Sequence, residues 1–242
     1  IKCYNESGSY GYGIYLYNNW VSTENNTFSG NVAHNCYYGF YADSVIQFTI
    51  SNDEYYNNNY GVYASYSGND VVIADSNLHD NCEGIYLQST TATITDTNFS
   101  GNGADSLGCN SGDLGVSELA GLFVDGGSQA NVRNGNFVGN GAEIGGYAIY
   151  DQDPRTAQWT ITDAVECTNN DVHIYDGWIV PLGGSITATN CSVEIWNDDT
   201  GEYVALNFSA GQQGSIEVPV DTTGDDEDTV GGSDVGFEVE VH

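Results

Sequence analysis

Along the first three quarters of the chain, apolar positions come in alternating bursts of three to five residues cut by Gly, Asn and Asp. That spacing suits β-strands, and helical periodicity is nearly absent. A Gly–apolar–aromatic triplet recurs as Gly13-Ile14-Tyr15, Gly39-Phe40-Tyr41, Gly61-Val62-Tyr63, Gly84-Ile85-Tyr86 and Gly121-Leu122-Phe123, with later copies Ile149-Tyr150 and Ile174-Tyr175 lacking the Gly. Its aromatics are 26, 22, 23, 37, 27 and 25 residues apart. A second marker, an apolar or aromatic residue with Asn three positions later, runs beside it as Phe28/Asn31, Tyr55/Asn58, Leu78/Asn81, Phe99/Asn102, Phe137/Asn140 and the variant Cys167/Asn170. Between the markers lie β-rich stretches such as Phe48–Ile50, Val71–Ile73, Thr93–Thr95, Trp159–Ile161 and Ser185–Thr187, so each period holds about three short strands and three turns.

A unit of this size cannot bury a face alone and must stack on its neighbours. If the chain coils once per unit, equivalent strands form parallel sheets and each marker becomes a column. Period-2 alternation then turns Ile14, Phe40, Val62, Ile85, Leu122, Ile149 and Ile174 inward, together with Leu16, Ala42, Ala64, Leu87 and Val124. The Asn column is expected to combine left-handed turn backbone with amide bonds from coil to coil. From Tyr10 to Asn190 the Gly-Ile-Tyr and Phe-x-x-Asn repeats resemble the right-handed parallel β-helix family, which includes pectate lyases, NosD-type periplasmic repeat proteins, surface adhesins and phage tailspikes. The resemblance implies an all-β solenoid of about seven coils and is nearly silent on activity. Leucine-rich repeats share the period, but their Leu/Asn consensus is absent.

Two segments break the repeat. An insertion at 103–119, rich in Gly, Ser and Asp, is either a functional loop or a surface excursion tied down by Cys109. The β-helix is therefore expected to span 1–192, and 193–242 reads as an antiparallel β cap or small β domain with an acidic loop at 221–234. Its strands are expected at Val193–Trp196, Tyr203–Phe208, Ile216–Val220 and Phe237–Val241. The six cysteines contain no C-x-x-C pair and read as disulfides. Cys167 and Cys191 are one coil apart, whereas Cys36 and Cys82 occupy equivalent turns two coils apart, so the expected pairs are Cys3–Cys36, Cys82–Cys109 and Cys167–Cys191.

Charge narrows the partners. With 34 acidic and 3 basic residues the net charge is −31, which excludes the basic stripe that nucleic acids and anionic membranes require. No apolar run approaches the ~20 residues of a membrane span. The start at Ile1 and the lack of Met read as a processed or excised product. Disulfides, charge and five sequons (Asn5, Asn25, Asn98, Asn190, Asn207) favour an extracellular or cell-surface site, and such a charge also suits brine.

Candidate chemistry is sparse. The column Tyr15, Tyr41, Tyr63, Tyr86, Phe123, Tyr150 and Tyr175 is expected to face outward, with Tyr17, Asp43, Ser65, Gln88, Asp125 and Gln152 beside it. Such a stripe of ring faces either stabilises the coil, docks a protein or stacks on sugar rings. The enzymes of the resembled family imply an Arg or Lys base, calcium on acidic side chains, or paired Asp with Gly-His-Gly. Here Arg133 and Arg155 are the only candidate bases within the coils; Arg133 has no cluster of acids near it in sequence, Asp151, Asp153 and Arg155 are weak candidates, the Asp-Pro pair is followed by Arg155 where an alginate epimerase has His, and Arg155 reads rather as a loop anchor. His34, His79, His173 and His242 lack metal-ligand spacing. The run Asp225, Asp226, Glu227, Asp228 is either a calcium loop or a solvated turn; no other cofactor is implied. The expected function is a non-catalytic structural, adhesive or filament-forming subunit that contacts itself or another surface protein. A polysaccharide lyase, hydrolase or epimerase, or a carbohydrate-binding module, is the alternative.

Overall fold

In the computed structural model, residues 11–19, 26–68, 70–103, 109, 120–125 and 128–140 are described, followed by a series of strands between Tyr147 and Val241. The strands appear three at a time. The first coil holds β1 (Tyr12–Asn19), β2 (Asn26–Ser29) and β3 (Val32–His34). Then come β4 (Tyr38–Val45), β5 (Gln47–Ser51) and β6 (Glu54–Tyr56); β7 (Tyr60–Ser65), β8 (Asp70–Ala74) and β9 (Asn77–His79); and β10 (Glu83–Gln88), β11 (Thr91–Thr95) and β12 (Asn98–Ser100). After the insertion follow β13 (Ala120–Val124), β14 (Gln129–Arg133) and β15 (Asn136–Val138). Next are β16 (Tyr147–Asp151), β17 (Gln158–Thr168), β18 (Asp171–Ile174), β19 (Trp178–Ile179), β20 (Gly184–Thr189) and β21 (Ser192–Asn197). The chain ends with β22 (Glu202–Asn207), β23 (Gln213–Val218) and β24 (Glu238–Val241).

Every third strand pairs in parallel with its equivalent one coil on. One sheet runs β1-β4-β7-β10-β13-β16-β18-β21; a second stacks β2-β5-β8-β11-β14 and a third β3-β6-β9-β12-β15, the last two joined through the long β17. The molecule is a parallel β-solenoid. About three coils, Tyr38 to Gly103, are described without a break other than Asn69, fewer than the seven expected, although the sheets carry rungs on either side. Parallel pairing continues into β21, where Val193 lies opposite Val172 and Ile195 opposite Ile174, past the boundary expected at residue 192. Antiparallel pairs then take over: β21 with β22, β20 with β23, and β23 with β24, where Ile216 faces Val239.

Phe40, Val62, Ile85 and Leu122 are wholly buried, as are Ala42, Ala64, Leu87 and Val124 two residues on, while Ile14 and Leu16 pack at the edge of the same core. Phe48, Ile50, Ile73 and Ile94 enter from the second sheet, and Tyr55, Leu78, Phe99 and Phe137 from the third. The recurrent Gly is set by close approach, since its φ is not left-handed. A Cβ on Gly61 would meet the Gly84 carbonyl at 2.5 Å and the Asn81 amide at 3.0 Å.

Three turns per coil follow one rule. Each has a residue in the left-handed region: Ser44, Tyr66 and Ser89 in the first turn; Gly30, Asn52, Asp75, Asp96 and Asn134 in the second; Asn35, Asn57, Asp80, Gly101 and Gly139 in the third. In most copies the residue after it turns a side-chain oxygen inward to accept the equivalent N–H of the preceding coil. Thus Asn58, Asn81 and Asn102 donate backbone N–H to Asn81, Asn102 and Asn140 Oδ1 at 3.0, 3.1 and 3.1 Å. Asn31 N–H donates to Asp53 (2.7 Å), Asp53 N–H to Ser76 (3.3 Å), Ser67 N–H to Thr90 (3.1 Å) and Thr90 N–H to Ser128 (3.2 Å). The buried Asn column exists, but the left-handed residue is its predecessor. Phe28/Asn31 also proves out of phase: Phe28 aligns with Ile50 in the second sheet, and Ala33 followed by Cys36 is the register equivalent of Tyr55/Asn58. The spacing fits both assignments, and only strand pairing separates them.

Candidate functional site

The outward face of the first sheet carries the densest chemistry. Tyr15, Tyr41, Tyr63, Tyr86, Phe123 and Tyr150 are in register across six strands. Tyr15–Tyr41 and Tyr41–Tyr63 stack with centroids 5.3 Å apart, Tyr63–Tyr86 at 4.9 Å and Tyr86–Phe123 at 5.0 Å, all within 10° of parallel. The strand spacing of about 4.8 Å imposes this, because rings that stand off the sheet in planes parallel to their strands meet the next ring face to face in van der Waals contact. The column is therefore not the row of open ring faces expected: each inner ring has both faces covered by its neighbours and turns only its edge and hydroxyl outward. The register continues from Tyr150 to His173 after a shift, and Tyr175, the expected continuation, lies outside the described residues.

A second column, invisible to the triplet marker, flanks the first. Tyr12, Tyr38 and Tyr60 stack at 5.2 Å, and Tyr12, Tyr38 and Tyr60 meet Tyr15, Tyr41 and Tyr63 edge-on at 4.8, 4.9 and 5.4 Å. The signal was a Tyr three residues before each ladder Tyr, broken at Glu83 and Ala120 and resumed at Tyr147. Exposure falls along the face, from 51% at Tyr15 and 58% at Tyr17 to 1% at Phe123.

The polar edge is tied together. Tyr63 donates its hydroxyl to Gln88 Oε1 (3.2 Å), and Asp125 Oδ2 accepts from Gln88 Nε2 (3.1 Å) and Tyr86 Oη (2.7 Å). Burial, followed by nearby Asp43, pushes the Tyr63 phenol up to about 12, and burial with the Asp125 hydrogen bond holds Tyr86 higher still. These phenols stay protonated through the neutral range.

Asp151 ends β16 opposite Val124, while Asp153, Arg155 and the run Asp225, Asp226, Glu227 and Asp228 lie outside the described residues. Cys82 and Cys109 are joined, and Cys36 is disulfide-bonded; Cys3 and Cys191 are outside the described residues, and Cys167 ends up in β17 opposite Phe137. Of the sequons, Asn98 sits in an outward amide column, donating to Asn77 Oδ1 at 2.7 Å and accepting from Asn136 Nδ2 at 2.9 Å. Asn207 closes β22, and Asn5, Asn25 and Asn190 lie outside the described residues. On the third sheet His34, Tyr56 and His79 stack at 4.7 and 5.0 Å, and the two His79 nitrogens face Asp80 (2.8 Å) and Glu54 (3.2 Å). Both His79 nitrogens are thus engaged, and His34 Nδ1 lies 2.9 Å from Asn35 Nδ2.

A family profile described as a right-handed β-helix region matches residues 4–157, well over half of the chain and a stretch that includes the stacked strands β1 to β16. The chain belongs to the right-handed β-helix family. No curated protein and no solved structure matches it.

Proposed function

We propose that this β-helix is a non-catalytic structural or adhesive subunit, working outside the cell, that makes protein contacts, above all with its own copies, through the exposed end of the Tyr face and the ends of the solenoid. The observation carrying this reading is the stacking of the ladder. A sugar ring needs an open aromatic face, and here those faces are filled by neighbouring Tyr rings, whereas edges, hydroxyls and half-exposed Tyr12, Tyr15 and Tyr17 suit protein contact. The Cys82–Cys109 bond supports an oxidising location.

Sedimentation of the full chain at high salt tests it. Self-association weakened by the pair Tyr15→Ser and Tyr17→Ser is the expected result. A monomer at every concentration would overturn the self-association, and cleavage of acidic polysaccharides abolished by Arg155→Ala would reverse the reading in favour of a polysaccharide-processing enzyme.

A further inference from the structure

Glu83 opens β10 in the column of Tyr12, Tyr38 and Tyr60, where Tyr60 is its direct partner on β7. Its side chain is fully buried, and neither carboxyl oxygen has a hydrogen-bond partner. The residue before it, Cys82, carries the disulfide to Cys109 that ties the insertion to this face. Among the described residues, the titratable groups facing Glu83 are Tyr60 and Tyr63 of β7, Tyr86 of β10, and Asp125 just beyond β13, and none of these is basic. Among the described residues no cation or hydrogen bond offsets the desolvation of a carboxylate there, and the neutral acid, although still unpaired, costs far less to bury than the charge.

We propose that Glu83 is an acid-operated latch on the Tyr face: protonated, it stays packed beneath the rings; ionised, it drives local opening of the start of β10 beside the Cys82–Cys109 bond. Burial first, and the Asp125 charge second, raise its ionisation well above the usual carboxylate range. The folded state consequently holds a proton that the unfolded chain has already released. The stabilisation is complete below the ordinary Glu range and is lost as pH climbs through the elevated value. This inference is independent of the proposed partner.

The test follows reduction of Cys82–Cys109 by a water-soluble phosphine in the full chain, mapped by mass spectrometry, with the Cys36 disulfide as internal reference. Between about pH 5 and pH 8 the wild-type rate ratio should rise by about tenfold or more, the effect of one pH unit of uncompensated ionisation. Glu83→Gln should flatten the ratio to within about twofold while unfolding at higher temperature than wild type at pH 8, and Glu83→Leu provides a second uncharged side chain should the amide fold poorly. Superimposable profiles for wild type and variants, or a Glu83→Gln protein less stable than wild type at pH 8, would overturn the latch.

Discussion

Asn81 shows how a single side chain holds three coils. Its amide nitrogen donates to Asn102 Oδ1 (3.0 Å) and the Tyr55 carbonyl (2.9 Å), and its oxygen accepts from the backbone and side chain of Asn58 (3.0 and 3.1 Å). Removing it strands buried donors and acceptors on both sides. Asn81→Leu, close in volume, should destabilise the fold by roughly 3 kcal/mol or more in denaturant unfolding, since each orphaned group costs about 1–3 kcal/mol. Asn77→Ala, in the outward amide column, should cost less than about 1 kcal/mol because water replaces the lost partner. Both residues look alike in the repeat. Periodicity revealed that Asn recurs; only the turn before it, with Asp80 in the left-handed region, explains why one column points in and the other out.

At the scale of the strand, β7 ties the Tyr ladder to the core. Val62 and Ala64 are buried inward, and Tyr63 is clamped between Tyr41 and Tyr86 outward. Tyr63→Ala removes two stacked pairs, each worth about 0.5–1.5 kcal/mol beyond area burial, and should lower stability by roughly 2 kcal/mol or more. Tyr63→Phe keeps the stack and loses only the bond to Gln88. A Tyr63 phenol raised to about 12 keeps its proton in the folded state where the unfolded chain loses it near 10, so its contribution is intact below pH 10 and fades as pH rises through about 12. Tyr63→Phe should accordingly flatten part of the alkaline loss of stability, and unchanged alkaline curves would show that the phenol is not ionising there. The inward and outward assignments of this strand were legible in the Gly-Val-Tyr triplet. The second aromatic column was not, because simple alternation puts Tyr60 in line with inward Val62, whereas its ring stacks on Tyr38 and meets Tyr63 edge-on.

Across the whole molecule, the charge of −31 works against both compaction and association. Screening shortens from about 10 Å at 0.1 M salt to about 3 Å at 1 M, so the repulsion among surface carboxylates is relieved in concentrated salt. The melting temperature should therefore rise between about 0.05 and 1 M sodium chloride, with any self-association appearing at the upper end. A melting temperature that fell with salt would mean that attractive ion pairs outweigh the net charge. Coils stacked in parallel make this tolerable, since the backbone ladders, and in the described coils the inward column of Phe, Val, Ile and Leu, do not depend on surface pairing.

The order of residues alone determined the solenoid, because a unit of three short strands has no other way to bury its apolar face, and it determined the ladder register from Tyr15 to Tyr150. Tertiary structure decided what that register means. Stacking at the strand spacing closed the ring faces that the sequence leaves open, and the packing of neighbouring coils turned Glu83, one acid among 34, into a buried group without a partner. Burial and mutual contact are properties of coils lying on one another, and a linear pattern records only the spacing that allows them.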